Sequence, residues 1–94
     1  MAVFFMFGKY TTESIKTISA ERTQAAVDEI KKMGGEVNAM HVLLGKYDLM
    51  ICVKLPGIED AVKASVALAK LTGIAFTTCP AIEVEVFDKL VGSK

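Results

Sequence analysis

The stretch Leu43-Leu44-Gly45-Lys46-Tyr47-Asp48-Leu49-Met50-Ile51-Cys52-Val53 decides the fold. A polar turn at its centre joins two runs that are apolar at consecutive positions, the pattern of strands buried on both faces. The stretch therefore reads as a β-hairpin in the middle of a sheet. With Gly45 and Lys46 as the central residues of a type II′ turn, Leu44 faces Tyr47, Leu43 faces Asp48, His41 faces Met50 and Ala39 faces Cys52. Side-chain alternation then assigns Tyr47, Leu49, Ile51, Val53 and Leu55 to a helix-covered face. Asp48, Met50, Cys52 and Lys54 fall on the opposite, open face, joined from the preceding strand by Val37, Ala39, His41 and Leu43.

Working outward, residues 2–10 read as a first strand, and Thr11-Thr12-Glu13-Ser14 supplies hydroxyl caps and an early acid for a helix. Apolar residues at helical spacing carry that helical region to about Met33, with a break near Ser19, and Gly34-Gly35 ends it. Residues 36–44 and 48–55 form strands two and three, Pro56-Gly57 turns the chain, and residues 58–71 form the next helix. Residues 74–82 are strand four, which Pro80 assigns to a sheet edge because proline donates nothing to a ladder. Val84, Phe87, Leu90 and Val91 predict a short terminal helix. The order β-α-β-β-α-β predicts an α+β, ferredoxin-like antiparallel sheet of strand order 4-1-3-2, in a single domain spanning residues 1–94.

Two or three helices cover only one face of such a sheet, so the second apolar face is expected to meet another copy. A composition 52% hydrophobic agrees with shared burial. The expected assembly is a homodimer or a larger even oligomer. Eleven basic and eleven acidic residues balance, and no run of Lys or Arg provides a footprint for a phosphate backbone, which argues against nucleic acid. No apolar segment reaches the roughly 18 residues needed to span a bilayer. Cys52 and Cys79 lie in strand-like segments without metal-type spacing, which points to free thiols and a cytoplasmic setting. Strand one would hold those two strands about 10 Å apart, too far for a disulfide.

The 4-1-3-2 order brings the end of strand one beside the start of strand three, so Gly8-Lys9-Tyr10-Thr11 and Gly45-Lys46-Tyr47-Asp48 converge at one rim of the sheet. Lys9, Tyr10, Lys46, Tyr47 and Asp48 are the candidate ligand-binding residues there, suited to an anionic or carboxylate ligand. The competing structural reading is turn glycines, solvated lysines, tyrosines packed over strand ends and an Asp48 that satisfies backbone donors. Met50 and Cys52 are ligand-binding candidates on the open face, where His41, the only histidine, is the catalytic candidate. Buried Met and Cys ordinarily fill cores, so a soft-metal site from His41, Met50 and Cys52 is the weaker reading, and no metal is assigned. No cofactor is specified by any residue pattern.

Gly45-Lys46-Tyr47-Asp48-Leu49-Met50-Ile51, together with Gly8-Lys9-Tyr10-Thr11, Lys32-Met33-Gly34-Gly35 and Gly73-Ile74-Ala75-Phe76-Thr77-Thr78, resembles the GYD-domain family over nearly the whole chain. The resemblance implies the dimeric α/β-barrel superfamily, in which two sheets pack face to face. Residues 45–78 are also similar to the effector-binding domain of leucine-responsive regulators, whose small effectors bind between subunits; the DNA-binding helix-turn-helix of those regulators has no counterpart here. The leading expectation is a homo-oligomeric small-molecule-binding protein of regulatory or accessory role, with its ligand in the inter-subunit cavity or at the strand rim. Because dimeric α/β barrels include cofactor-independent oxygenases and haem-handling enzymes, the alternative is an enzyme using His41 as base or axial ligand. A purely structural assembly module is the third reading.

Overall fold

A computed structural model of the chain describes residues 1–92. The elements are β1 (Ala2–Lys9), α1 (Thr12–Lys16), α2 (Ala20–Lys32), β2 (Glu36–Val42), β3 (Leu49–Leu55), α3 (Ile58–Thr72), β4 (Ala75–Ala81) and α4 (Val84–Val91). The strands pair antiparallel in the order β2-β3-β1-β4, the expected split topology, and Pro80 lies on the edge strand β4.

The helical region after β1 is two helices because two hydroxyl caps occur in it. Thr11 and Ser14 cap α1 reciprocally: the Thr11 hydroxyl accepts the Ser14 amide at 3.0 Å and the Ser14 hydroxyl accepts the Thr11 amide at 2.7 Å. Ser19 opens α2 by accepting the Arg22 amide at 3.0 Å. A serine free to satisfy a new helix start ends the preceding turn rather than continuing it.

One layer of helices covers one face of the sheet. Ala61, Ala64 and Leu68 of α3 and Ala26 and Ile30 of α2 close over Phe4 and Met6 of β1 and Ile51, Val53 and Leu55 of β3. Alanines on the inner sides of both helices allow close approach to the sheet, and each fully buried Ile, Leu or Met contributes roughly 1.5–3 kcal/mol.

The hairpin register agrees with expectation: His41 stands opposite Met50 and Ala39 opposite Cys52. Its turn does not have the expected type II′ form. The Leu43 amide donates to the Asp48 carbonyl at 2.8 Å, which makes that pair a hydrogen-bonded one and leaves Leu44–Tyr47 as the loop. Gly45 takes φ 136°, a conformation that side chains disfavour.

Two face assignments are corrected. The β2–β3 register shifts between Val37 and Ala39, so Val37 stands opposite Val53 and packs against the core. One extra residue in the bulge reverses the alternation before it. Tyr47, expected among the core-facing residues, precedes β3 and packs its ring on Phe7, with centroids 5.2 Å apart, on the open side.

The open face carries Val3, Phe5, Phe7, Met50 and Cys52 at intermediate exposure. Phe5 stands opposite Cys52 on one side and Cys79 on the other, and both thiols are free. The terminal helix α4 forms where the spacing of its apolar residues predicts, and it buries none of its residues; Leu90 is 71% exposed.

Candidate functional site

The two Gly-Lys-Tyr segments meet at the rim. The Asp48 amide donates to the Gly8 carbonyl at 2.9 Å, and the Asp48 carboxylate accepts the Tyr10 amide at 2.9 Å. Lys9 Nζ donates to the Lys46 carbonyl at 3.2 Å. Lys46 Nζ lies 5.7 Å from the centroid of the Tyr47 ring, within cation–π range. Lys9, Tyr10, Lys46, Tyr47 and Asp48 are therefore brought together as the strand order requires. One oxygen of Asp48 is engaged in holding strand ends, the structural use of an acid at a turn.

Met50 and Cys52 lie on the open face beside Phe5 and Phe7, separated from the helix layer by the sheet. His41 is exposed and opposite Met50. Among the described residues, no group of three or more His, Cys, Asp or Glu side chains is placed to hold a metal ion.

One concavity was not anticipated from the sequence. It is a pocket of about 200 Å³ in the helix layer, between the start of α2 and the sheet. Ile18, Ala26, Leu49, Ile51, Ile74 and Phe76 supply apolar walls, and Tyr10, Arg22 and His41 also border it. Of the site residues named from sequence, Tyr10 and His41 are among those that border this pocket, although the pairing of His41 with Met50 puts it on the open side of the sheet; the others belong to the rim or the open face. Tyr10 joins the two regions, its amide on Asp48 and the residue itself in the pocket lining.

Arg22 is the residue that sequence reading missed. Its Nη1 donates to the Ser14 carbonyl and the Thr17 hydroxyl, both at 2.7 Å, and more weakly to the Thr72 carbonyl at 3.4 Å. These contacts tie the end of α1 and the end of α3 to the first turn of α2. All three acceptors are neutral. A sequence signal was nevertheless present, because Arg22 stands three residues after the Ser19 cap, where an acid would suit the positive end of the helix dipole and complete a capping box. A cation in that place calls for a reason in the tertiary structure.

These features define an α+β protein of ferredoxin-like fold with a lined pocket in its helix layer. The sequence model of the GYD domain matches residues 4–91, and the chain belongs to the GYD-domain family. A structural relative agrees on the fold: the crystal structure of hypothetical protein PHS023 from Pyrococcus horikoshii matches with a TM-score of 0.56 and 20% sequence identity, covering 88% of this chain and 92% of that one. No curated protein sequence matches the chain. No described helix is long and apolar enough to cross a membrane.

Proposed function

We propose that this protein is a homodimer, formed open face to open face, in which each subunit binds a small, largely apolar molecule in the pocket between α2 and the sheet. The observation that carries the binding reading is the pocket itself. An apolar cavity of about 150 Å³ accommodates benzene, so a space of about 200 Å³ suits a ligand of roughly that size or somewhat larger. Mostly hydrocarbon walls with a few polar groups are the common composition of small-molecule sites.

The dimer reading is supported by the row Phe5, Phe7 and Tyr47, stacked or tilted ring on ring across a face that no helix among the described residues covers. Contiguous apolar surface of this kind marks an interaction site on a soluble protein. The exposed apolar residues of α4 add further surface for a second copy. A regulatory or accessory role fits a binding protein without an evident catalytic set. His41 supports the enzyme alternative through its exposed place opposite Met50 on the open face.

Native mass spectrometry on protein purified from its own host tests both parts. The expected result is an even assembly carrying a reproducible small adduct, with the adduct lost and the assembly kept in Ala26→Leu, which fills the pocket. A monomer at micromolar concentration removes the dimer. If apolar probes such as cyclohexanol produce no shift of pocket amides by NMR, the binding site is wrong. Loss of turnover, with binding retained, in His41→Ala would move the reading to the enzyme.

A further inference from the structure

We infer that the pocket selects a monoanionic ligand, a hydrocarbon or aromatic carboxylate whose charged head pairs with Arg22; this rests on the binding reading above and names its ligand class. The argument begins with the polar groups of the lining. Thr72 is already committed, its hydroxyl donating to the Leu68 carbonyl at 2.7 Å and accepting the Ile74 amide at 3.1 Å. Thr23 is committed too, donating to the Ser19 carbonyl at 3.2 Å. Among the described residues, the lining contains no Asp or Glu, and its one permanently charged residue is Arg22.

A guanidinium has five N–H donors. The three bonds Arg22 makes all leave from Nη1, so the Nε and Nη2 groups are not used by them. That remaining edge has the paired N–H geometry that receives a carboxylate bidentately. Arg22 is half-buried, and its fixed Nη1 holds the group in place before any ligand arrives. A half-buried positive charge resting on neutral oxygens gains from an anion, because its partial removal from solvent reduces screening and strengthens the pairing. Apolar walls with one anchored cation thus favour an amphipathic acid over a neutral hydrocarbon and over a compact hydrophilic anion such as phosphate, which would leave the walls unfilled.

The test compares octanoate with 1-octanol, which share a chain length and differ in the charged head, by calorimetry and amide chemical shifts at neutral pH. Octanoate is expected to bind on the order of tenfold to a hundredfold more tightly, the range for a hydrogen-bonded charge, with both ligands shifting pocket amides. Arg22→Gln is expected to bring octanoate down to the level of octanol, while Arg22→Lys keeps part of the preference. Because Arg22 also holds helix ends, the comparison on the unaltered protein carries the decision if these variants do not fold. Equal affinities for the two ligands overturn the carboxylate inference and leave the pocket reading standing. Binding of neither ligand, or shifts confined to residues outside the pocket, overturns both.

Discussion

The Asp48 carboxylate and the Tyr10 amide, 38 positions apart in the chain, are joined by a hydrogen bond of 2.9 Å that fastens the end of β1 to the start of β3. The same residue donates its own amide to Gly8, so Asp48 clamps the two Gly-Lys-Tyr segments by main chain and side chain together. Tyr10 carries that clamp to the pocket wall.

Asp48→Ala leaves the part-buried Tyr10 amide without its acceptor and is expected to lower stability by about 1–3 kcal/mol in chemical denaturation. Asp48→Asn is expected to lose less, since an amide oxygen still accepts. Equal losses in the two variants would show that charge, rather than the hydrogen bond, matters at this position.

Gly35→Ala is expected to be strongly destabilising. A Cβ there would meet Leu55 Cδ2 at 2.6 Å and the Lys54 carbonyl oxygen at 2.7 Å, and a backbone atom cannot swing aside as a side-chain end can. A loss of about 1–3 kcal/mol or more follows for such overpacking. Gly57→Ala is the control, because its nearest contact would be Asp60 Oδ2 at 3.9 Å and its φ of −167° is ordinary extended backbone. Thermal unfolding of the two variants side by side checks the difference.

Ser19→Ala removes the oxygen that receives the Arg22 amide and is expected to cost about 1 kcal/mol. Hydrogen exchange should locate the loss in the first turn of α2. Uniform loosening of the whole chain, with no excess at residues 20–23, would contradict a local cap effect.

Phe5→Glu places a charge at the centre of the proposed sheet-to-sheet contact, on the row between Cys52 and Cys79. Light scattering is expected to show subunits at the monomer mass with unchanged far-ultraviolet circular dichroism. An assembly that persists through this substitution uses another surface.

Much of the architecture could be read from the sequence because its evidence is local. The apolar run around Tyr47-Asp48 identified the hairpin, Pro80 identified an edge, and Thr11 with Ser14 marked a helix start. The Val37 assignment failed because Glu36-Val37-Asn38-Ala39 alternates without interruption in sequence, whereas the bulge exists only in the pairing with β3. Tyr47 was assigned by alternation to a strand that begins after it. The rim followed from strand order alone. The pocket did not, because its cation joins the ends of α1 and α3 to the start of α2, elements whose mutual placement depends on packing. An arginine in an unfavourable helical position was the one local sign of that arrangement.

Both outer strands carry an interruption: β2 has its bulge beside Asn38, and β4 has Pro80. An added strand would find a broken row of donors and acceptors at either margin. Growth by stacking chain upon chain along the hydrogen-bonding direction is thereby obstructed at both ends. Self-association is left to side-chain surfaces, and the isologous face-to-face contact proposed above would close on itself, so concentrated solutions should yield discrete particles and not fibrils.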